Sequence, residues 1–133
     1  MRSDELERVV RRWGELSEWR ALSKEVLTIA PREGGIYIIR MAQGRVFGRL
    51  RGSSDILYIG SAKRLRRRLR GYFYPGPTQW TNKRVHAMMS KHPMEIAWCI
   101  TEDYAEAERE LLRLYLDQHD ELPPFNRATK RLP

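Results

Sequence analysis

Apolar and polar positions along this chain follow two rhythms. Near the start, Leu6, Val9, Val10 and Trp13 recur at helical spacing behind Ser3-Asp4-Glu5, which suits a helix N-terminus, until Gly14 interrupts them. A second helical set, Trp19, Leu22, Val26 and Leu27, follows Ser17 and ends at Pro31. The rhythm then changes. Residues 34–41, Gly-Gly-Ile-Tyr-Ile-Ile-Arg-Met, form a β-branched and aromatic run that predicts a strand. Gln43-Gly44 marks a turn, residues 45–48 are suited to a short return strand, and 51–55 reads as loop. Ile56-Leu57-Tyr58-Ile59 is a second unbroken apolar run, expected to break at Gly60-Ser61.

Helical spacing resumes with Leu65 and Leu69, four apart on one face. Tyr74-Pro75-Gly76-Pro77 forces a turn, and Thr81 is placed to cap a helix carrying Val85, Met88 and Met89 inward before Pro93. An apolar segment at 94–101 predicts another strand. Leu111, Leu112, Leu114 and Tyr115 then mark a last helix starting near Tyr104. Strands and helices alternating around one small sheet predict an α+β fold, with residues 1–31 as a helical extension and 32–133 as the main domain.

Charge changes this picture at one place. Six basic residues and no acid lie between Lys63 and Arg70, in a chain whose 25 Lys+Arg against 17 Asp+Glu give a net charge of +8. Such a helix, delivered by a strand ending at glycine, is suited to phosphate through its N-terminus and its side chains, and so to a nucleic-acid partner. Other chemistry is excluded. Cys99 is the single cysteine, so neither an intrachain disulfide nor a thiolate zinc site can form, and its apolar surroundings predict a buried thiol. His86, His92 and His119 lack metal-ligand spacing. Trp13 and Trp19 are expected as core anchors. No stretch is long enough to span a membrane and the acidic N-terminus is unlike a signal peptide, so the expected compartment is the cytoplasm.

Gly35-Ile36-Tyr37 on one strand and Tyr58-Ile59-Gly60 on the next resemble the two signature triplets of the GIY-YIG nuclease family. Arg68 and Tyr72, ten and fourteen residues after Tyr58, match the arginine and tyrosine of that family's first helix. Glu108-Arg109-Glu110-Leu111-Leu112 resembles the later helix whose glutamate precedes an aliphatic pair, and Phe125-Asn126 resembles the terminal asparagine motif. The resemblance spans about residues 34–127. It implies a three-stranded antiparallel sheet flanked by helices, and an endonuclease that hydrolyses DNA with one divalent ion, Mg²⁺ or Mn²⁺. Tyr37 would be the general base or water-orienting group, Arg68 would stabilise the transition state, and Glu108 would hold the metal. Tyr58, Tyr72 and Asn126 complete the implied set.

These residue types suit that chemistry. A guanidinium can bond two phosphate oxygens at once, and Mg²⁺ binds through one or two carboxylates while keeping several waters. A phenol of ordinary pKa ~10 needs the metal and nearby cations to lower it. Lys63, Arg64, Arg66, Arg67, Arg70, Lys83 and Arg84 are expected to track backbone phosphates, which positions DNA without reading it.

Three departures from the family pattern stand out. A lysine commonly follows the second triplet; here it is Ser61, with Lys63 or Arg64 to stand in. The interval between Tyr37 and Tyr58 is lengthened by a turn around residues 43–54. The interval between Glu108 and Asn126 is lengthened through residues 116–122. Glu110 is the second candidate metal ligand, and Glu106 lies close by. A non-catalytic DNA-binding module of the same fold is the alternative function, and the N-terminal helices are a candidate surface for a homodimer or partner protein.

Overall fold

The computed structural model describes residues 1–126, so the end of the basic tail lies outside the described residues. In chain order the elements are α1 (Ser3–Val10), β1 (Arg20–Ala21), α2 (Val26–Ile29), β2 (Gly35–Met41), β3 (Phe47–Gly48), β4 (Ser53–Ser54), β5 (Ile56–Ala62), α3 (Leu65–Phe73), α4 (Trp80–Met89), β6 (Met94–Ile100) and α5 (Tyr104–His119). None of the described helices is long and apolar enough to cross a membrane.

The two apolar runs become the central antiparallel pair. β2 and β5 pair from Gly35 with Ala62 to Ile39 with Tyr58, and a register shift follows before Arg40 meets Ile56. β6 pairs along the other side of β2, from Gly35 with Ile100 to Met41 with Met94. Both faces of this sheet are covered, which is why its strands read as continuous apolar runs rather than alternating ones. Successive side chains point to opposite sides. Tyr37, Ile39, Tyr58, Ile96 and Trp98 pack with Leu65, Leu69, Tyr72 and Val85 of α3 and α4. Ile36, Ile38, Ile59 and Cys99 pack with Leu6, Val10, Ala107, Leu111 and Tyr115 of α1 and α5.

The α+β class holds, but the sheet has four strands rather than three, in the order β1-β6-β2-β5. The added strand comes from residues expected to be helical. Beyond Gly14 the chain runs along the free edge of β6: the Ser17 amide donates to the Trp98 carbonyl at 2.8 Å, Arg20 pairs with Ile96, and the Leu22 amide donates to the Met94 carbonyl at 2.9 Å. An unpaired strand edge is a stronger demand than weak helical spacing, and the second helix shrinks to Val26–Ile29. The segment at 45–54 forms its own ribbon, Phe47 with Ser54 and Gly48 with Ser53, instead of returning to the sheet. Gln43 and Gly44 turn the chain there with φ of 61° and 69°.

Several boundaries also move. β5 continues through Gly60 and Ser61 because Ala62 still pairs with Gly35, and α3 begins only at Leu65, leaving Lys63 and Arg64 in the link. Thr81 lies inside α4 rather than capping it. Ser3 is not the N-cap of α1; Asp55 serves that helix from a distance, accepting the Ser3 amide at 2.8 Å and the Ser3 hydroxyl at 2.6 Å. Arg40 joins this network through the Ser3 hydroxyl at 3.0 Å and Glu95 at 2.9 Å, and its guanidinium lies 3.9 Å from the Trp19 ring centroid. Trp13 and Trp19 both pack against the second cluster, and Cys99 is buried in it. Leu6 and Val10 are fully buried there too, so the apolar side of α1 is covered by this chain itself.

Candidate active site

The register of β2 and β5 places two phenols side by side. Tyr37 lies opposite Gly60, and Tyr58 is two residues further along β5 on the same face, so the rings meet diagonally with centroids 5.7 Å apart. α3 crosses above them. Leu65 and Leu69 hold it to the sheet, and Arg68 and Tyr72, four apart, descend on the flank facing the phenols. The Tyr37 and Tyr72 hydroxyls lie 2.5 Å apart, and the Arg68 Nε–H donates to the Tyr37 oxygen at 3.3 Å. Tyr58 completes a triangle, its ring 6.5 Å from that of Tyr72. The structure thus gathers Tyr37, Tyr58, Arg68 and Tyr72 into one cluster.

The glycines of both triplets have a steric reason to be there. A Cβ on Gly60 would sit 2.7 Å from Tyr37 Cζ and 2.8 Å from its oxygen, so only glycine lets the phenol lie flat across β5. A Cβ on Gly35 would collide with the Cys99 carbonyl and come within 3.0 Å of Leu65 Cδ1, holding β6 or α3 away.

Burial dominates the electrostatics. Tyr37 and Tyr72 are both fully enclosed, and loss of water pushes each phenol above its ordinary range. Their neighbours then separate them. Tyr58 raises Tyr37 further, whereas Arg68 and the hydrogen bond from Tyr72 lower it; for Tyr72, the same bond to Tyr37 raises it. The Arg68 Nε–H donates to the Tyr37 oxygen, so a negative charge on the pair is offset most directly there. Arg68 in turn is held more firmly protonated by the Tyr37 oxygen beside it.

Asn126 arrives from the far end of the chain. Its side chain accepts from the Ile59 amide at 3.0 Å and donates to the Ile59 carbonyl at 2.9 Å, while the Phe125 amide donates to the Leu57 carbonyl at 2.9 Å. Residues 125–126 thus close the outer edge of β5 at the second triplet. Glu108 stands half-buried on α5, between Ala107 and Leu111 of the opposite face. Glu106 is exposed, and Glu110 faces Arg12 and Arg113 at 3.9 Å each. Among the described residues, no three or more His, Cys, Asp and Glu side chains gather in metal-holding geometry.

The basic residues divide by position. Lys63, Arg64, Arg67 and Arg70 are exposed along α3 and the link before it. A groove of about 480 Å³ between α3 and α4 is lined by Lys63, Arg64, Arg67, Arg68, Gly71, Gln79 and Asn82. Arg66 instead turns back, donating to the Ala30 carbonyl at 2.8 Å and the Thr28 carbonyl at 3.3 Å. Lys83 bonds the Pro77 carbonyl at 3.1 Å, and Arg84 lies over Trp80 and Phe125 at 5.3 and 5.4 Å. The N-terminus of α3 is not open to an anion as expected: the Leu65 and Arg66 amides donate to the carbonyls of Glu33 and Pro31. Ser61, in place of the usual lysine, lies on β5, with Lys63 and Arg64 beside the groove. Asn82 and Gln79 escaped the sequence reading; Asn82 is buried against Gly71 and bonds Gln79 at 3.0 Å, and the lone hint was a glycine inside a helix.

A family model described as the UvrC-like GIY-YIG domain matches residues 33–126. The UvrABC system protein C of Gloeobacter violaceus is 36% identical over 85 residues, 63% of this chain and 11% of that protein. Its counterpart in Microcystis aeruginosa is 35% identical over 103 residues, 75% of this chain and 13% of that protein. The chain therefore spans a small fraction of the length of these relatives. Among solved structures, a point mutant of the GIY-YIG N-terminal endonuclease domain of UvrC from Thermotoga maritima, bound to its catalytic divalent cation, is 25% identical with a TM-score of 0.47, covering 79% of this chain and 94% of that domain. The magnesium-bound form of that domain is 24% identical with a TM-score of 0.47, covering 78% and 94%. The chain described here belongs to the UvrC-like branch of the GIY-YIG endonuclease family.

Proposed function

We propose that this domain hydrolyses phosphodiester bonds in DNA with the help of one divalent ion, Mg²⁺ or Mn²⁺. The observation that carries the reading is the convergence of Tyr37, Tyr58, Tyr72 and Arg68 over Gly60, beside a basic groove. A phosphodiester is an anion, so attack by water needs the developing charge offset and a proton removed. Arg68 contributes the first: its Nε is turned to Tyr37 and its outer side lies in the groove, where the remaining N–H donors can take two phosphate oxygens. Tyr37 contributes the second by orienting the attacking water and accepting its proton. The Arg68 Nε–H donates to the Tyr37 oxygen, and the Tyr72 hydroxyl 2.5 Å away can donate to it once it is ionised, so both would hold the ionised phenol. Tyr58 packs the Tyr37 ring in place, and Asn126 fixes the strand that carries Tyr58.

Glu108 is the residue assigned to the ion. A single half-buried carboxylate with hard oxygen donors fits Mg²⁺ or Mn²⁺, and the lack of a denser cluster among the described residues fits neither zinc nor a two-metal centre. Glu110, drawn towards Arg12 and Arg113, is the weaker choice. Glu108 would hold such an ion through its carboxylate, and the chemistry the ion would supply is positive charge against the charge that develops on phosphate. Lys63, Arg64 and Arg67 in the groove, Arg70 outside it on α3, and Lys83 and Arg84 on α4 hold the flanking phosphates; Arg66, engaged with Ala30 and Thr28, chiefly ties α2 to α3.

Incubation with supercoiled plasmid tests the reading. Nicked or linear product is expected with Mg²⁺ or Mn²⁺ and not with EDTA, and Arg68→Ala and Glu108→Gln are each expected to cost ~100-fold or more in rate. Supercoil that persists where binding is demonstrated overturns catalysis and leaves a DNA-binding module of the same fold.

A further inference from the structure

α3 has a second basic flank. Away from the α3–α4 groove, a cleft of about 670 Å³ is lined by Leu27, Arg32, Arg64, Arg66, Arg67 and Arg70. Five guanidiniums converge there from two parts of the chain, since Arg32 comes from the link between α2 and β2 and the others from α3 and its approach. Among the described residues, no carboxylate is ion-paired with any of the five; the pairs formed involve Arg12, Arg20, Arg40, Arg49, Arg51 and Arg113. Arg66 is pinned by the Ala30 and Thr28 carbonyls, which fixes the cleft's wall rather than leaving it to swing. Like charges held this close repel one another, and an anion of several charges relieves them.

The geometry points to a double-stranded substrate held astride α3, with one backbone in the α3–α4 groove beside Arg68 and the opposite backbone in the Arg32 cleft. This deepens the endonuclease reading and rests on it. Arg64 and Arg67 line both depressions and so form the ridge between them. An α-helix with its side chains is about 10–12 Å across, close to the ~12 Å width of the DNA major groove. Charges on a single strand recur every ~3.4 Å along the axis. Anion sites on opposite flanks of one helix are thus spaced like two backbones facing each other across a groove, and unlike neighbouring phosphates of one strand. Arg32 becomes a substrate-positioning residue, with the phosphates of the uncut strand as its ligand.

The experiment follows binding, with EDTA present so that nothing is cut. Fluorescence anisotropy of a labelled duplex and of its single strand is titrated across salt concentrations, for the wild-type chain, Arg32→Ala and Arg32→Lys. Arg32 is exposed, so both variants are expected to fold. For Arg32→Ala the slope of log K against log salt is expected to fall by roughly 0.9 on the duplex. It should stay unchanged on the single strand, and Arg32→Lys should recover the duplex slope. An equal loss on both ligands means that the cleft follows the cut strand, and no loss on either means that the cleft does not hold DNA; each overturns the proposal. Binding is read in EDTA and cleavage in a separate plasmid assay with Mg²⁺ or Mn²⁺, so plasmid left uncut in that assay while the duplex slope behaves as expected sinks the catalytic reading alone, and plasmid cut there while the slope is unmoved sinks the second track alone.

Discussion

The hydroxyl of Tyr72 lies 2.5 Å from that of Tyr37, and the two phenols are not equivalent. Arg68 also donates to the Tyr37 oxygen, and the shared bond lowers Tyr37 while raising Tyr72. Tyr72 is therefore the donor whenever Tyr37 ionises. A hydrogen bond to a charged acceptor is worth about 1.5–3 kcal/mol. Replacing Tyr72 by Phe should move the alkaline-rising limb of the cleavage rate upward by about one to two pH units. At neutral pH the rate falls by ~10–100-fold, and over the range where the fold holds, up to about pH 9, it climbs with pH below the wild-type curve. A profile scaled down evenly, with its limb unmoved, would show that Tyr72 only packs the site.

Gly60 carries the phenol on its back. An added methyl would sit 2.7 Å from Tyr37 Cζ, and Tyr37 is fully buried with nowhere to retreat. Gly60→Ala should cost about 1–3 kcal/mol of stability through overpacking, and should abolish cleavage even at temperatures where the variant is folded. Urea denaturation and a plasmid assay on the same preparation check both. Full activity in the folded variant would mean that the phenol's position over β5 is irrelevant to the chemistry.

Much of this arrangement is legible in the sequence. The central strands announced themselves because both of their faces are buried, and the phenols and Arg68 met because strand pairing and a four-residue helical interval leave them little choice. Strand β1 was illegible: two residues have no period, and Arg20–Ala21 extend only because β6 offers a free edge. The same is true of Asp55, which serves α1 across 52 residues of sequence. For Glu108 the spacing to Leu111 and Leu112 located the helix and its buried side, but the approach of Arg12 to Glu110 was illegible, because no local pattern ties Arg12 to α5.

Three buried phenols make stability depend on alkaline pH. Burial raises Tyr37, Tyr72 and Tyr115 in the folded chain, while in the unfolded chain they ionise near ~10. Their contribution is fully present below that value and is lost as pH rises above it, because only the unfolded state releases the protons. Each such phenol steepens the loss by ~1.4 kcal/mol per pH unit. Urea midpoints should be flat up to about pH 9 and fall beyond about pH 10, and Tyr72→Phe should fall less steeply than the wild type. Equal slopes in the two proteins would mean that Tyr72 is open to water.

Asn126 offers the sharpest separation of support from chemistry. Both polar atoms of its amide are engaged by the backbone of Ile59, the middle residue of the second triplet, and the adjacent Phe125 amide bonds Leu57. The side chain thus completes an edge strand that would otherwise present unpaired groups beside the site. Removing it in Asn126→Ala forfeits two hydrogen bonds, together about 1–3 kcal/mol. Asn126→Asp should be worse than its single lost donor suggests, because a carboxylate oxygen then faces the Ile59 carbonyl, and acidic pH should partly restore it by protonating the intruder. Loss of cleavage in Asn126→Ala should therefore track the loosening of β5, read by hydrogen exchange at Ile59. If exchange there matches the wild type while the rate collapses, Asn126 touches the substrate itself, and its place belongs beside Arg68 rather than behind Tyr58.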